Sequence, residues 1–372
     1  MQTEKFLDRP WIADIGWRLA RMASPRKHPA VHFVSDGANW AFDWVGRYLA
    51  EGLKTRHAQP ADIIAKPHGL AGQIVHFVSR YAFLDPVNRF VHLRNRSFLN
   101  WYHSDLHDPA ARGLIDSLLT VASRVERVVV PCSLTAAALC QVGMLPSKII
   151  TIPIGADTIH FRPASDGLKS KIDMRRQLDM PDDAIVVGSF QKDGTGWGEG
   201  LEPKLVKGPD TLLETIARIF EKEPRLIVLL TGPARGYVKN GLAKIGVPFR
   251  HVNLHDYRDI VRHYQALDLY VISSRCEGGP KALLESWACG VPVVTTRVGM
   301  CADSVDDGVN GLMVNIEDSS GLAEGALRLI GDVSLRSRLI QAGLERVRDF
   351  DWGLIADRHF EELYRPVLAD DG

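Results

Sequence analysis

Ile272-Ser-Ser-Arg-Cys-Glu277-Gly278-Gly279-Pro280-Lys281-Ala-Leu-Leu-Glu285-Ser-Trp-Ala-Cys-Gly290-Val-Pro292-Val-Val-Thr295 reads as a strand end, a glycine turn, a short helix and a second strand. Tyr270, Val271 and Ile272 supply an apolar, β-prone entry, and Gly278-Gly279 interrupts it. Pro280 suits the first helical position, where a missing N–H loses no partner. Gly290 ends the helix and Pro292 keeps it from resuming. The early helical N–H groups have no intrahelical partner, so with the helix dipole they form an anion site. Two acids bracket it: Glu277 on the loop, and Glu285 about one turn beyond Lys281 on the same helical face. An anion held between two carboxylates points to a phosphate with hydroxylated sugars on either side, the shape of a nucleotide-sugar.

Outward from this stretch, composition sets the bounds. A chain of 372 residues exceeds one ordinary core, so two domains are expected. Lys+Arg 45 against Asp+Glu 45 argues against a nucleic-acid footprint over the whole molecule. No apolar run approaches transmembrane length, and the first residues lack the apolar core and cleavage site of a signal peptide. Cys132, Cys140, Cys276, Cys289 and Cys301 show neither metal spacing nor a disulfide framework, which fits reduced thiols and a cytoplasmic location.

In chain order, Trp11, Ile12, Ile15, Leu19 and Met22 recur at helical spacing beside Arg18, Arg21, Arg26 and Lys27. Such a helix either docks on the body by its apolar face or lies as a peripheral segment on the inner face of an anionic membrane. Val31–Val34 is a first buried strand. Ligands of open α/β sheets gather at strand carboxyl ends, so Asp36, Asn39 and Trp40 in the next turn are candidate acceptor contacts, with helix capping the alternative for Asp36. Asp62–Ala65, Gln73–Val78, Arg89–Leu93 and Val125–Val130 read as further strands. His76 and His92 lie inside strand patterns and read as structural, and Ala164–Lys171 reads as a hinge or linker. Ala184–Phe190 opens a second domain, and the glycine-rich loop Gln191–Gly200 is expected to be mobile. Arg225–Thr231 is another buried strand, and Phe249–Leu254 precedes Tyr257 and Tyr264.

Glu277 and Glu285 enclose seven residues, and this stretch resembles the E-x7-E signature of the retaining family 4 glycosyltransferases. Their usual pattern is E-G-F-G-x-x-x-x-E-A-x-A-x-G-x-P-V-V. Glu277, Gly278, Glu285, Ala288, Gly290, Pro292, Val293 and Val294 match; Gly279-Pro280 stands where Phe-Gly is usual and Ser286 where Ala is usual. Lys148-Ile-Ile-Thr-Ile-Pro153-Ile154-Gly155-Ala156-Asp157 is similar to the family's K-I-x-V-I-P-N-G-V-D, with Ile154 for Asn. Lys207-Gly208-Pro209-Asp210 matches its K-G-x-D, while Ser189 occupies the position of its phosphate-binding Arg, with Lys192 the nearest cation. Phe350-Asp-Trp352 resembles its F-S-W.

The resemblance implies a GT-B fold, two Rossmann-like doubly wound α/β domains facing each other across a cleft with a C-terminal helix crossing back. The expected divisions are an extension over 1–30, an acceptor-side domain over 31–163, a donor-nucleotide domain over 164–352 and a returning helix over 353–372. It implies a hexosyltransferase that moves a sugar from a nucleoside-diphosphate (UDP or GDP) sugar to a saccharide or lipid-linked acceptor with retention, in polysaccharide, lipopolysaccharide or glycolipid synthesis. The catalytic candidates are Glu277, His103 (in Trp101-Tyr102-His103-Ser104-Asp105, similar to the family's H-x-D) and Lys207. Glu285, Gly278, Gly279, Lys281, Ala282, Lys192, Gly299, Val252 and Asn253 are the donor-binding candidates. Charge stabilisation by the helix amides and lysine is expected to make a metal or cofactor unnecessary. A nucleotide-sugar epimerase and a catalytically weak sugar-nucleotide-binding protein are the rival readings.

Overall fold

From Val31 onward, β-prone apolar runs alternate with helical segments, and such a chain closes as a parallel sheet with helices on its faces. The computed structural model describes residues 29–35, 41–85, 88, 91–102 and 109–370. It divides into two compact units, one running up to Val130 with Ala136–Ile152 and the chain from Trp352, the other Pro131–Thr135 with Pro153–Asp351. The expected division after residue 163 therefore falls eleven residues later than the one at Ile152–Pro153, just after the last strand of the first sheet. The expected amphipathic helix around Trp11–Met22 lies outside the described residues.

The first unit holds β1 (Val31–Val34), α1 (Ala41–His57), β2 (Ala61–Ile64), β3 (Ile74–Phe77), α2 (Arg80–Leu84), β4 (Arg96–Asn100), α3 (Pro109–Val121), β5 (Arg127–Val130), α4 (Ser133–Gln141, from Ala136 on) and β6 (Ile149–Thr151). Its six strands run parallel in the order β2-β1-β3-β4-β5-β6. Val75, Phe77, Leu99, Trp101, Val128 and Val130 form its core with Ile115 and Leu118 of α3. One expected strand is displaced. Val91, His92 and Leu93 carry no strand; β4 begins at Arg96. A central parallel strand must be buried on both faces. Ser97 to Asn100 meet that condition, whereas Leu93 is 83 % exposed. Asn95 makes the turn between them, accepting from Gln73 N at 3.0 Å and donating to Leu70 O at 2.9 Å.

The second unit holds α5 (Leu168–Gln177), β7 (Ile185–Ser189), α6 (Pro209–Lys222), β8 (Leu226–Thr231), α7 (Gly236–Lys244), β9 (Phe249–Val252), α8 (Ile260–Gln265), β10 (Leu269–Ile272), α9 (Lys281–Ala288), β11 (Val293–Thr296), α10 (Met300–Ser304), β12 (Leu312–Val314), α11 (Ser319–Gly331) and α12 (Val333–Arg346). Its parallel strands run in the order β12-β11-β10-β7-β8-β9. Leu212, Ile216 and Ile219, at helical spacing on α6, pack with Leu322, Ala326 and Leu329 of α11 and the buried strand residues.

Two expectations about loops are corrected in this unit. The stretch expected as a linker contains the start of α5, whose mostly polar residues show no apolar stripe. Asp268 holds that helix: it accepts from Lys171 Nζ at 2.8 Å and Arg175 Nη2 at 2.6 Å. The glycine-rich loop Gln191–Gly200 is tied rather than free. Gly236 N donates to Glu199 O at 2.6 Å, Lys204 N to Asp193 O at 2.7 Å, and Asp193 itself is fully buried.

The chain ends with α13 (Trp352–His359), a π-helical turn (Phe360–Tyr364) and α14 (Arg365–Asp370), all within the first unit. Helix α13 lies against α1: Trp352 stacks on Tyr48 with ring centroids 5.2 Å apart. A Cβ on Gly52 would come within 2.4 Å of Ala356 Cβ, so the helices approach too closely for a side chain there. No helix among the described residues is long and apolar enough to cross a membrane.

Candidate functional site

In the second sheet β7 is the first strand in sequence, and it lies between β8 and β10, so the order of connection reverses between β7 and β10. Ligands of such sheets bind beyond the carboxyl ends of strands at this switch point. Two segments leave it here: Phe190-Gln191 after β7, and Ser273 to Pro280 after β10.

Lys207 reaches this point from a short 3-10 turn, Leu205–Lys207, that precedes α6. Gly208 closes the turn in the left-handed region at φ 58°, and a Cβ there would sit 2.0 Å from Ser273 O. Only glycine lets the turn rest on the β10 loop in this way. The loop answers with two bonds of its own, Arg275 N and Cys276 N donating to Val206 O at 2.9 and 3.0 Å. Arg275 also grips Asp210 with two bonds of 2.7 Å, a fork that fixes the start of α6. The result is an ion pair between Lys207 Nζ and Glu277 Oε1 at 2.5 Å, with the Glu277 side chain 6 % exposed. Glu277 Oε1 also accepts from Ser274 Oγ at 2.9 Å.

Helix α9 places the second acid. Pro280, expected as its first residue, instead caps it at φ −68° and ψ 101°, with Lys281 first in the helix. Its back is fixed by Trp287 Nε1 donating to Asn310 O at 2.9 Å. Glu285 is buried, and its two oxygens accept from the hydroxyls of Tyr257 and Tyr264, the latter at 2.9 Å. Lys281 Nζ lies 3.9 Å from Glu285 Oε1 and 4.2 Å from the Tyr257 ring centroid. Burial pushes the Glu285 carboxyl up to about 8 and the Lys281 ammonium down to about 7, so each is drawn toward its neutral form.

The glycine turns after β10 and β11 touch. Met300 N donates to Gly278 O at 2.8 Å, and a Cβ on Gly299, whose φ is 49°, would come 2.4 Å from that same oxygen. A Cβ on Gly279 would meet Met300 Sδ at 2.8 Å and Ile154 Cδ1 at 2.9 Å. Two of the departures from the resembled pattern, Gly279 for Phe and Ile154 for Asn, are therefore neighbours in space: Ile154 fills space that a side chain on residue 279 needs.

The remaining candidates are placed as follows. Ala282 is half-buried on α9; Val252 is half-buried at the end of β9 and its carbonyl accepts from Gly232 N at 3.2 Å; Asn253 is exposed. Lys192 stands over the exposed Trp197 ring, 3.8 Å from its centroid. His103, Asp36, Asn39 and Trp40 lie outside the described residues.

Arg235 is the residue that sequence reading missed. Beside Ser189, where the resembled pattern has an arginine, a guanidinium does arrive, but from the turn after β8. It donates to Ser189 O at 2.6 Å, Thr231 O at 3.0 Å and both oxygens of Asp193 at 2.9 Å. With every one of these acceptors inside the protein, it holds the loop. The only local signal is an arginine directly after the strand-ending Gly232-Pro233-Ala234.

Residues 200–332 match the family model described as Glycosyl transferases group 1. The D-inositol 3-phosphate glycosyltransferase of Saccharomonospora viridis is 28% identical over 266 residues, 67% of this chain and 57% of that protein. The protein of the same name from Streptosporangium roseum is 27% identical over 327 residues, covering 83% and 70% respectively. The chain spans about half the length of several of these relatives, 52% and 47% of those from Corynebacterium aurimucosum and Stackebrandtia nassauensis. Among solved structures, Anabaena Alr3699/HepE in complex with UDP and glucose aligns with a TM-score of 0.72 at 19% identity, covering 90% of this chain and 99% of that one. Sucrose-phosphate synthase from Thermosynechococcus elongatus aligns at 0.65 and 20%, covering 88% and 79%. At these identities the likeness is one of fold, and the fold is GT-B.

Proposed function

We propose that this chain, a GT-B protein whose residues 200–332 form a glycosyl transferases group 1 domain, moves a hexosyl unit from a nucleoside-diphosphate sugar to an acceptor hydroxyl with retention of configuration. The observation that carries the reading is the Lys207–Glu277 pair at the switch point, with Glu285 on the adjoining helix. In the reaction the bond from C1 of the sugar to the diphosphate oxygen breaks and a bond from the acceptor oxygen to C1 forms on the same face. The acceptor proton passes to the departing phosphate oxygen. Lys207 and the first amides of α9 stabilise the charge that grows on that phosphate. Glu277 holds hydroxyls of the donor sugar, and Glu285 accepts those of the ribose. These groups meet the charge without a metal.

UDP is the first nucleotide to test, supported by the fold likeness to proteins solved with UDP and UDP-glucose. A saccharide or lipid-linked acceptor, in surface polysaccharide or glycolipid synthesis at the cytoplasmic membrane face, completes the reading. The test is a thermal-shift and calorimetric comparison of UDP, GDP and their glucose conjugates, since a ligand of the folded state raises its melting temperature. Glu285→Ala is expected to weaken nucleoside-diphosphate binding roughly tenfold, the loss of the hydrogen bonds it accepts from the ribose hydroxyls. Unchanged affinity in that variant would remove Glu285 from the site. Turnover of the conjugate without acceptor into an epimer would favour the epimerase.

A further inference from the structure

The switch point holds a hydroxyl with two acceptors and one proton. Ser274 Oγ lies 2.9 Å from Glu277 Oε1 and 3.0 Å from Gln191 Oε1, and Ser274 is fully buried. The Gln191 amide cannot be the donor here, because its Nε2 donates to Lys207 O at 2.8 Å, which turns its oxygen toward Ser274. The serine hydroxyl must therefore serve one oxygen at a time. Its backbone cannot shift to follow, since Thr296 Oγ1 donates to Ser274 O at 2.6 Å and the next two residues are bonded to Val206 O. Rotation about the C–O bond is the motion left to it.

Glu277 needs such a partner. Its Oε1 shares Lys207 and Ser274, and it is buried. In the donor reading proposed above, on which this inference rests, Lys207 serves the leaving phosphate and Glu277 the sugar hydroxyls. The donor therefore competes with Glu277 for the ammonium. A buried carboxylate that gives up its cation stays ionised and in place only if other donors hold it. Gln191 keeps the Lys207 backbone fixed through this exchange, so only the lysine side chain moves.

We infer that Ser274 is a positioning residue for the donor sugar: it holds the Glu277 carboxylate toward the sugar hydroxyls when Lys207 turns to the phosphate, with Gln191 Oε1 as the hydroxyl's resting acceptor in the empty site. Ser274 touches neither nucleotide nor phosphate in this arrangement, so its loss separates sugar recognition from nucleotide recognition.

The experiment compares Ser274→Ala and Ser274→Thr with the wild type, titrating UDP and UDP-glucose in parallel by calorimetry and recording melting temperatures. In Ser274→Ala, UDP is expected to bind within about twofold of wild type while UDP-glucose weakens roughly tenfold or more, the loss of one hydrogen bond to a charged group. Ser274→Thr, which keeps the hydroxyl, restores the UDP-glucose affinity. If the added methyl unfolds that variant, Ser274→Cys replaces it, with a partial recovery expected from its weaker S–H donor. Equal weakening of both ligands in a folded Ser274→Ala protein overturns the inference, because it marks a general structural role. Unchanged binding of UDP-glucose overturns it as well. A wild type that binds neither UDP nor GDP nor their glucose conjugates instead overturns the donor reading itself.

Discussion

Arg235→Ala is expected to lower the stability of the protein by about 3–5 kcal/mol, the cost of leaving a buried charge without its partner. Both members of the Arg235–Asp193 pair have no exposed side-chain surface. Removing the guanidinium strands the carboxylate together with the carbonyls of Ser189 and Thr231. Because Asp193 anchors the Gln191–Gly200 loop, the variant should also be cut faster by proteases between Gly194 and Gly200 and should bind nucleotide poorly. Urea unfolding measures the first effect and limited proteolysis the second. The double variant Arg235→Met, Asp193→Leu should recover much of the loss, since no charge then remains to be compensated. A loss below about 1 kcal/mol, typical of an exposed pair, would falsify the anchoring role.

Acidification is expected to weaken the first unit through two buried histidines. His76 donates from Nε2 to Asn100 Oδ1 at 2.8 Å and accepts at Nδ1 from the Tyr364 hydroxyl at 2.5 Å, while Asn100 Nδ2 donates on to the Tyr102 hydroxyl at 2.9 Å. His359 donates from Nδ1 to Ile355 O at 2.8 Å, and the two imidazole centroids are 5.8 Å apart. Burial, with the neighbouring His359 second, lowers His76 from 6.5 to about 3; burial lowers His359 to about 4. Below 6.5 the unfolded chain binds protons that the folded one refuses, so stability rises with pH in this window. It is complete above 6.5 and falls as pH drops toward 4, each histidine contributing about 1.4 kcal/mol per pH unit. At pH 5 the pair accounts for about 4 kcal/mol. The measurement is urea unfolding at pH 7 and pH 5 for the wild type and for His76→Gln, His359→Leu. The same loss on acidification in both proteins would show that carboxylates, not these histidines, govern it. Since Tyr364 and His359 belong to the C-terminal segment, that segment should release from β3 first.

Much of the candidate site was legible from local rules. Gly278-Gly279, Pro280 and Gly290 punctuate Ile272–Thr295 as the structure has it, to within one residue at the helix start. Lys207 is legible only through the resemblance to K-G-x-D, although the roles of Gly208 and Asp210 are local: one permits the turn and the other is the carboxylate that Arg275 grips. The errors lie where two segments compete or cooperate at a distance. Arg89–Leu93 and Arg96–Asn100 are both apolar enough for a strand, and only the choice of neighbours decides between them. The linker that became α5 has no apolar stripe because its partner is a carboxylate 93 residues from Arg175.

The sequence by itself determined the alternation of strands and helices and the acid–glycine–acid turn. Each follows from residues within a turn or two of one another, through backbone conformation and side-chain periodicity. Tertiary structure alone decided which distant groups share a space. Arg235 comes to Asp193 across 42 residues, Ile154 takes the room denied to residue 279, and Ser274 stands between Glu277 and Gln191. Buried charges and close contacts are set by the parallel packing of β7 against β10 and β8, and no local rule of spacing encodes which chain segments that packing brings together.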